Sequence, residues 1–342
     1  MAITIRDVAQ KAGVAPSTVT RVIQDSPAIS LKTKQRVRQV MSELNYIPNL
    51  NARSLASSKT SIIGLILPPD SDTFYQNPFF PTVLRGISKA ASHIGYTISL
   101  ISGNNELERR QNVEKTISGG RADGLLFLYA ESDDPIMQLV NELNFPYVVI
   151  GNPSSSSVNF VDNDNIKMAY DATEYLLNRG NKKIGFIGGN TEMNFIKNRF
   201  KGYQDALKNN QLTMDEQLIF NELAFVPEIG YQLALTLNDT TSIDAMVIAD
   251  QLVASGFRQA VVQHDLPIEI ITFKAYNSSI TISENEEAFI HIDAQRLGQV
   301  ALEMMLKIIE DSSNRTAHTG YFHEIIHHEL IELTQINYSD SK

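Results

Sequence analysis

Hydrophobic positions along this chain follow two different periods in succession. Over the first 45 residues the spacing is helical. Ile5, Val8, Ala9 and Ala12 recur at i, i+3, i+4 and i+7. Val19, Val22 and Ile23 share one face of a second segment, and Pro16, Ser17, Thr20 and Arg21 share the opposite face. Val37, Val40, Met41 and Leu44 form the stripe of a third. The boundaries are marked as well. Thr4 and Asp7 have capping-box spacing, with Asp in place of Glu. Gly13 stops the first helix, Pro16 opens the second where no backbone N–H is needed, and Ser30 caps the third. Two short helices joined by a tight glycine turn form a helix-turn-helix. A third helix closes a small core and leaves the polar face of the second free for a DNA major groove.

From residue 61 the pattern changes to short apolar runs alternating with helical segments. Strands are expected at 61–68, 96–102, 123–130 and 147–151, with helices at 77–95, 105–118 and 134–143 between them. After the polar stretch 152–157, the run 161–165 leads into a helix ending near Gly180. Strands follow at 182–189, near 218–225, and at 244–250, 268–273 and 322–328. The helices between them lie at about 194–209, from Pro227, at 250–264 and at about 293–310. Such alternation with short connections means βαβ units and parallel sheets. The core is therefore two doubly wound α/β halves, whose natural ligand site is the cleft between them. Read from the residues alone, that ligand is a small polar molecule.

Charge sharpens the division. Residues 1–60 carry nine Lys or Arg against three Asp or Glu, while the remainder carries 20 against 36. A basic head on an acidic body points to a polyanion partner at one end. The absence of Cys excludes disulfides, thiolate metal sites and cysteine nucleophiles. No run approaches the 18 apolar residues of a membrane span, and the first residues lack a signal-peptide core, so a cytoplasmic protein is expected. Nothing points to an enzyme or a cofactor. The run 185–189 is not a dinucleotide loop. His327 and His328 would point to opposite faces of one strand, which disfavours a metal site with His323.

The strings TIRDVAQKAGVAPSTVTRVI and ELNYIPNLNARSLA (43–56) resemble the head of the LacI/GalR repressor family. The resemblance implies a sequence-specific, homodimeric repressor on double-stranded operator DNA. It places Thr4, Ser17, Thr18 and Arg21 at the DNA, the latter three toward base edges, where Arg suits guanine. It makes 48–60 a hinge helix and linker, with Leu55 as the minor-groove wedge and Asn49 and Arg53 serving the groove or its phosphates. Eight residues cannot hold a helix alone in water, so the hinge is expected to order on DNA. Ala15 departs from the Ser usual there, which removes a cap oxygen from the second helix.

The same resemblance covers the core. It implies a periplasmic-binding-protein-like fold at 61–335, with an N-half of about 61–151 plus 291–320 and a C-half of about 161–290 plus 321–335. Crossings would fall near 151–161, 274–291 and 311–321, behind a DNA-binding domain at 1–47. Phe79 and Phe80 would line the cleft mouth or pack in the core. Arg199 would bind effector hydroxyls, and Asp250 would accept them, cap its helix, or both. Phe225 and Asp162 complete the implied set. Thr272, Phe273 and Lys274 stand where the family commonly has Gly-Phe-Asp. The strings at 26–38, 48–58, 72–88 and 171–180 are most similar to Gram-positive maltose-operon repressors. That similarity implies maltose or a maltodextrin as inducer. A protein corepressor or another small sugar is the alternative.

Overall fold

The computed structural model describes residues 3–46, 59–69, 71–131, 133–153, 155–240, 242–275, 288–314 and 320–332. Contacts divide the chain into two units, Met1–Ser61 and Ile62–Lys342.

The first unit holds α1 (Ile5–Ala12), α2 (Pro16–Ile23) and α3 (Leu31–Glu43). The capping box forms: the Thr4 hydroxyl accepts from the Asp7 N–H, and the Asp7 carboxylate accepts from the Thr4 N–H at 2.7 Å. Gly13 ends α1 at φ +63°, a left-handed conformation that costs glycine nothing. No side chain caps α2, as Ala15 requires, and Ser30 accepts from the Thr33 N–H at the start of α3. The three apolar faces meet in one core centred on Val8, Val19, Val22 and Val37.

The second unit contains two six-stranded sheets. Its N-terminal lobe is built from β1 (Ile62–Ile66), α4 (Ser71–Gln76), α5 (Phe79–His93), β2 (Thr97–Ile101), α6 (Glu106–Ser118), β3 (Gly124–Phe127), α7 (Pro135–Glu142), β4 (Tyr147–Ile150) and β5 (Phe160–Asn163). Then come α8 (Asn165–Asn178), β6 (Ile184–Ile187), α9 (Asn194–Asn209), β7 (Ile219–Phe220), α10 (Pro227–Thr240), β8 (Ala245–Ile248), α11 (Gln251–Gln263), β9 (Glu269–Lys274) and β10 (Ala288–His291). The order ends with α12 (Ala294–Asn314), β11 (His323–Ile326) and β12 (Glu329–Glu332). The sheets run β11-β5-β4-β3-β1-β2 and β12-β10-β9-β8-β6-β7. Every pairing is parallel except β10 with β12. Central strands such as β3, β4, β6 and β8 are buried along their full length, as sheets covered by helices on both faces demand.

The division between halves differs from the expected one. Phe160–Asn163 pairs with β4 and β11 in the first sheet, so the N-terminal lobe runs to 163 rather than 151. His323–Ile326 also belongs to the first sheet, not to the C-half. The crossings therefore lie at about 163–165, 291–294 and 326–329, each later than expected. Lobe membership is a matter of long-range strand pairing, which local patterning does not encode. α12 does return to the first lobe, packing on α5, β3 and β4. Two of the crossings are stitched together where Asn163 Nδ2 donates to the Ile326 carbonyl at 2.7 Å. His328 Nε2 lies 3.0 Å from the Asp171 carboxylate of α8, anchoring the third crossing to the second lobe.

Helix pairs meet closely at glycines. A Cβ on Gly86 of α5 would sit 1.9 Å from the Gln295 carbonyl oxygen of α12. One on Gly256 of α11 would sit 1.7 Å from the Pro227 oxygen of α10. Among the described residues, no helix is long and apolar enough to cross a membrane.

Candidate functional site

The head presents one polar helix face. Ser17 and Arg21 are exposed and Thr18 is half-buried, and none of the three makes a side-chain bond among the described residues. Thr20 turns its hydroxyl back to the Pro16 carbonyl. The Thr4 hydroxyl is engaged by Asp7 on both sides, so its first role is to start α1. The basic residues divide into two groups. Lys34 and Arg38 pair with Asp25, and Lys11 with Glu43. The Lys34 ammonium holds the Asp25 carboxyl below its usual range, with Arg38 adding to the effect. Arg6, Arg21, Lys32 and Arg36 have no ion-pair partner among the described residues. Among the described residues of the head, those four are the cations left for a polyanion. Asn49, Arg53 and Leu55 lie outside the described residues.

In the core, the carboxyl ends of several strands converge on Arg199. The side chain projects from α9 and is buried. Its Nε donates to Asn165 Oδ1 at 2.9 Å, and one terminal nitrogen donates to the Ala249 carbonyl that follows β8. The guanidinium lies over the rings of Phe273, at 4.2 Å, and Phe195, at 5.1 Å. Nη2 has no hydrogen-bond partner among the described residues. Burial pulls the Arg199 pKa down to about 10, with the charges of Asp162 and Asp250 opposing the fall.

Asp250 is buried at the start of α11. Its Oδ1 accepts from the N–H groups of Leu252 and Val253, and its Oδ2 accepts from Asn77 Nδ2 at 2.9 Å. It is thus a helix cap with one oxygen turned toward the other lobe. Asn77 Oδ1 in turn accepts from Gln251 Nε2 and from the Phe79 N–H. These bonds carry the 77–80 segment of the first lobe against the second. Burial raises the Asp250 pKa, against the backbone donors of its own helix.

Asp162 stands behind this cluster. Its carboxylate accepts from the N–H groups of Asn152 and Asn163, and from Asn165 Nδ2 at 3.2 Å. Asn165 passes the constraint to Arg199. The geometry makes Asp162 a positioning group rather than a free acceptor. Burial pushes its pKa up to about 6 despite those donors.

The aromatic residues fall into two places. Phe79 and Phe80 are half-buried, with centroids 5.4 Å apart in an edge contact, and Phe80 also meets Phe74. They pack against the main core while Asn77 ties their backbone to the cleft. Phe225 lies over Gly189, where a Cβ would meet its ring at 2.3 Å, and is 6.4 Å from Phe195. The cleft therefore joins Arg199, Asp250 and, through Phe195, Phe225. Sequence reasoning missed Asn77, Asn165 and Phe195. Asn77 and Asn165 lie within the runs 72–88 and 161–165, whereas Phe195 carries no such signal. Asn221 Oδ1 is also buried without a partner among the described residues, against Gly188 at the end of β6.

A buried cation with one open donor nitrogen, two buried carboxylates, amide groups and flat rings suit a neutral, hydroxyl-rich ligand. Comparisons with known proteins agree with this architecture. Residues 4–49 match the family described as bacterial regulatory proteins, lacI family. Residues 60–329 match periplasmic binding proteins and sugar binding domain of LacI family. The HTH-type transcriptional regulator MalR of Streptococcus pneumoniae is 45% identical over 333 residues, spanning 97% of this chain and 100% of that protein. A lac repressor dimer bound to operator and an anti-inducer superposes with TM-score 0.80 at 21% identity, over 97% of this chain and 98% of that one. A probable maltose operon repressor of Staphylococcus aureus gives 0.70 at 24% identity, over 82% of this chain and 99% of that one. The chain belongs to the LacI family of transcriptional regulators, a DNA-binding head on a sugar-binding-type core.

Proposed function

We propose that this regulator is a cytoplasmic homodimeric repressor released from its operator by maltose or a maltodextrin. The observation that carries the effector reading is the open Nη2 of Arg199, buried between two rings and flanked by Asp162 and Asp250. Sugar hydroxyls would accept from Nη2 and donate to Asp250, displacing or sharing its bond to Asn77. Phe225, Phe79 and Phe80 would cover the apolar C–H faces of the sugar. Asp162 would hold Asn165 and hence Arg199 in place. The 45% identity to a regulator named MalR supports a maltose-type sugar.

At the DNA, Ser17, Thr18 and Arg21 would face base edges, and Thr4 would set the start of α1 beside the backbone. The hinge residues Asn49, Arg53 and Leu55 would act in the minor groove. The sugar must bind the released state more tightly than the operator-bound state, and operator must weaken sugar by the same factor. Calorimetric titration of the full chain with glucose, maltose and maltotriose, with and without operator, tests this. Maltose or maltotriose should bind, glucose more weakly, and operator should reduce the affinity. No binding of either oligosaccharide to free protein would overturn the maltose assignment and favour a protein corepressor or another sugar.

A further inference from the structure

We propose that Asn77 is a specificity-determining residue of the effector cleft: its amide holds the place of a sugar hydroxyl on Asp250 and so selects for ligands long enough to reach both lobes. The inference rests on reading the cleft as a sugar site, but not on which sugar enters it.

Asn77 is fixed before any ligand arrives. It lies between α4 and α5 and precedes Pro78, whose ring disfavours a helical backbone at Asn77. Pro78 itself opens α5 with φ −60°. The Asn77 Oδ1 accepts from the Phe79 N–H two residues on, at 3.0 Å, an Asx turn that holds the side chain in one pose. From that pose the amide reaches the second lobe twice. Its Nδ2 donates to Asp250 Oδ2 at 2.9 Å, and its Oδ1 also accepts from Gln251 Nε2 at 2.9 Å. Asp250 Oδ1 is taken by the N–H groups of Leu252 and Val253. Oδ2 is thus the oxygen left for a ligand, and an amide N–H already sits on it. A sugar hydroxyl donating to that oxygen would make a bond of the same charge-assisted kind.

Asn77 is therefore a competitor supplied by the first lobe. Asp250 is only 8% exposed, so a hydroxyl approaching Oδ2 has to move the amide aside. One bond is then exchanged for another of equal kind. The bond to Gln251 is lost as well, and two half-buried amides are left short of partners. Stranding polar groups in this way weakens a ligand that cannot replace their bonds. A ligand confined to Arg199 and Asp250, a monosaccharide in size, bears the whole of that loss. A ligand with a second ring brings hydroxyls to the first lobe, where they meet Asn77 and Gln251 again. Asp250 supplies affinity, and Asn77 decides which lengths can use it.

The test is calorimetric titration of the full chain with glucose, maltose and maltotriose, comparing the parent with N77A and Q251L. N77A clears Oδ2 and removes the amide that a short ligand strands. It should bind glucose at least about tenfold more tightly than the parent does, about 1.4 kcal/mol, while maltose affinity changes less than about threefold. Q251L keeps the bond to Asp250 and loses only the brace, so its glucose affinity should rise by less. Operator binding by both variants verifies that they are folded. The glucose gain is expected whether or not the parent binds maltose, so a failure of the maltose assignment is distinguishable from a failure here. Unchanged or weaker glucose binding by N77A, or a gain for maltose as large as that for glucose, would overturn the role of Asn77.

Discussion

Arg199 keeps its charge in a site that has removed most of its water. Two flat rings and two nearby carboxylates replace that water, and among the described residues only its Nε and one terminal nitrogen are held by protein acceptors. A lysine there would keep the charge and lose the planar fork. R199K should therefore fold and bind operator, while maltose affinity falls about 10- to 100-fold, the worth of a hydrogen bond to a charged group. Calorimetry and an operator-binding assay check both halves. Asp162 makes a second prediction. Its folded-state pKa of about 6 exceeds the ordinary value of 3.8, so the folded protein holds this proton more tightly than the unfolded chain. Ionising the group therefore costs stability as pH rises through that window. Effector binding runs the other way, because the ionised group accepts from Asn165 on both oxygens, whereas protonation turns one of them into a donor and weakens the relay that aligns Arg199. Maltose affinity should weaken as pH falls through about 6, and D162N should bind weakly with that dependence removed. A parent affinity flat from pH 5 to 8 would remove Asp162 from the relay.

Helix α5 packs along α12 in the first lobe. Its contact with α12 is main chain to main chain at Gly86, with no room for a side chain. G86A should lower stability by about 1–3 kcal/mol through overpacking, read as a fall in the denaturation midpoint with operator specificity retained. Elements of this kind were legible in the sequence because their period runs over many residues. The three head helices, α8, α9 and α11 lie where spacing, caps and glycines put them. The elements that escaped are short or half polar. Phe160–Asn163 has two apolar residues followed by Asp and Asn, and reads locally as a loop. Its strand state comes from pairing with β4 and β11, and burial of those two polar groups is what builds the site. β10, β12 and α4 were missed for the same reason of length. Of the cleft, Arg199, Asp250, Asp162 and Phe225 are indicated by motif resemblance, whereas the ring of Phe195 and the bridging amides Asn77 and Asn165 are not. An asparagine advertises neither charge nor hydrophobic period.

At the scale of the molecule, charge is segregated along the chain, and within the head it is segregated again between paired and unpaired cations. Among the described residues of the head, Arg6, Arg21, Lys32 and Arg36 are the four without an acidic partner. If each neutralises one phosphate, a dimer releases about eight counterions, and operator affinity should fall with salt at a log–log slope of about −7. R36Q should reduce that slope by about 2 per dimer, whereas K11Q, whose charge already faces Glu43, should change it little. Filter-binding at several salt concentrations distinguishes these outcomes. The stitch between Asn163 and Ile326 has a different consequence. Two crossings that leave the first lobe side by side, from neighbouring strands, should move together, which favours rotation of the lobes about them over sliding. The direction of movement is then set by the chain, and a ligand chooses only how far the rotation goes and how often. Sugars of different length should act as stronger and weaker inducers along a single coordinate, rather than as inducers that distort the protein in different ways.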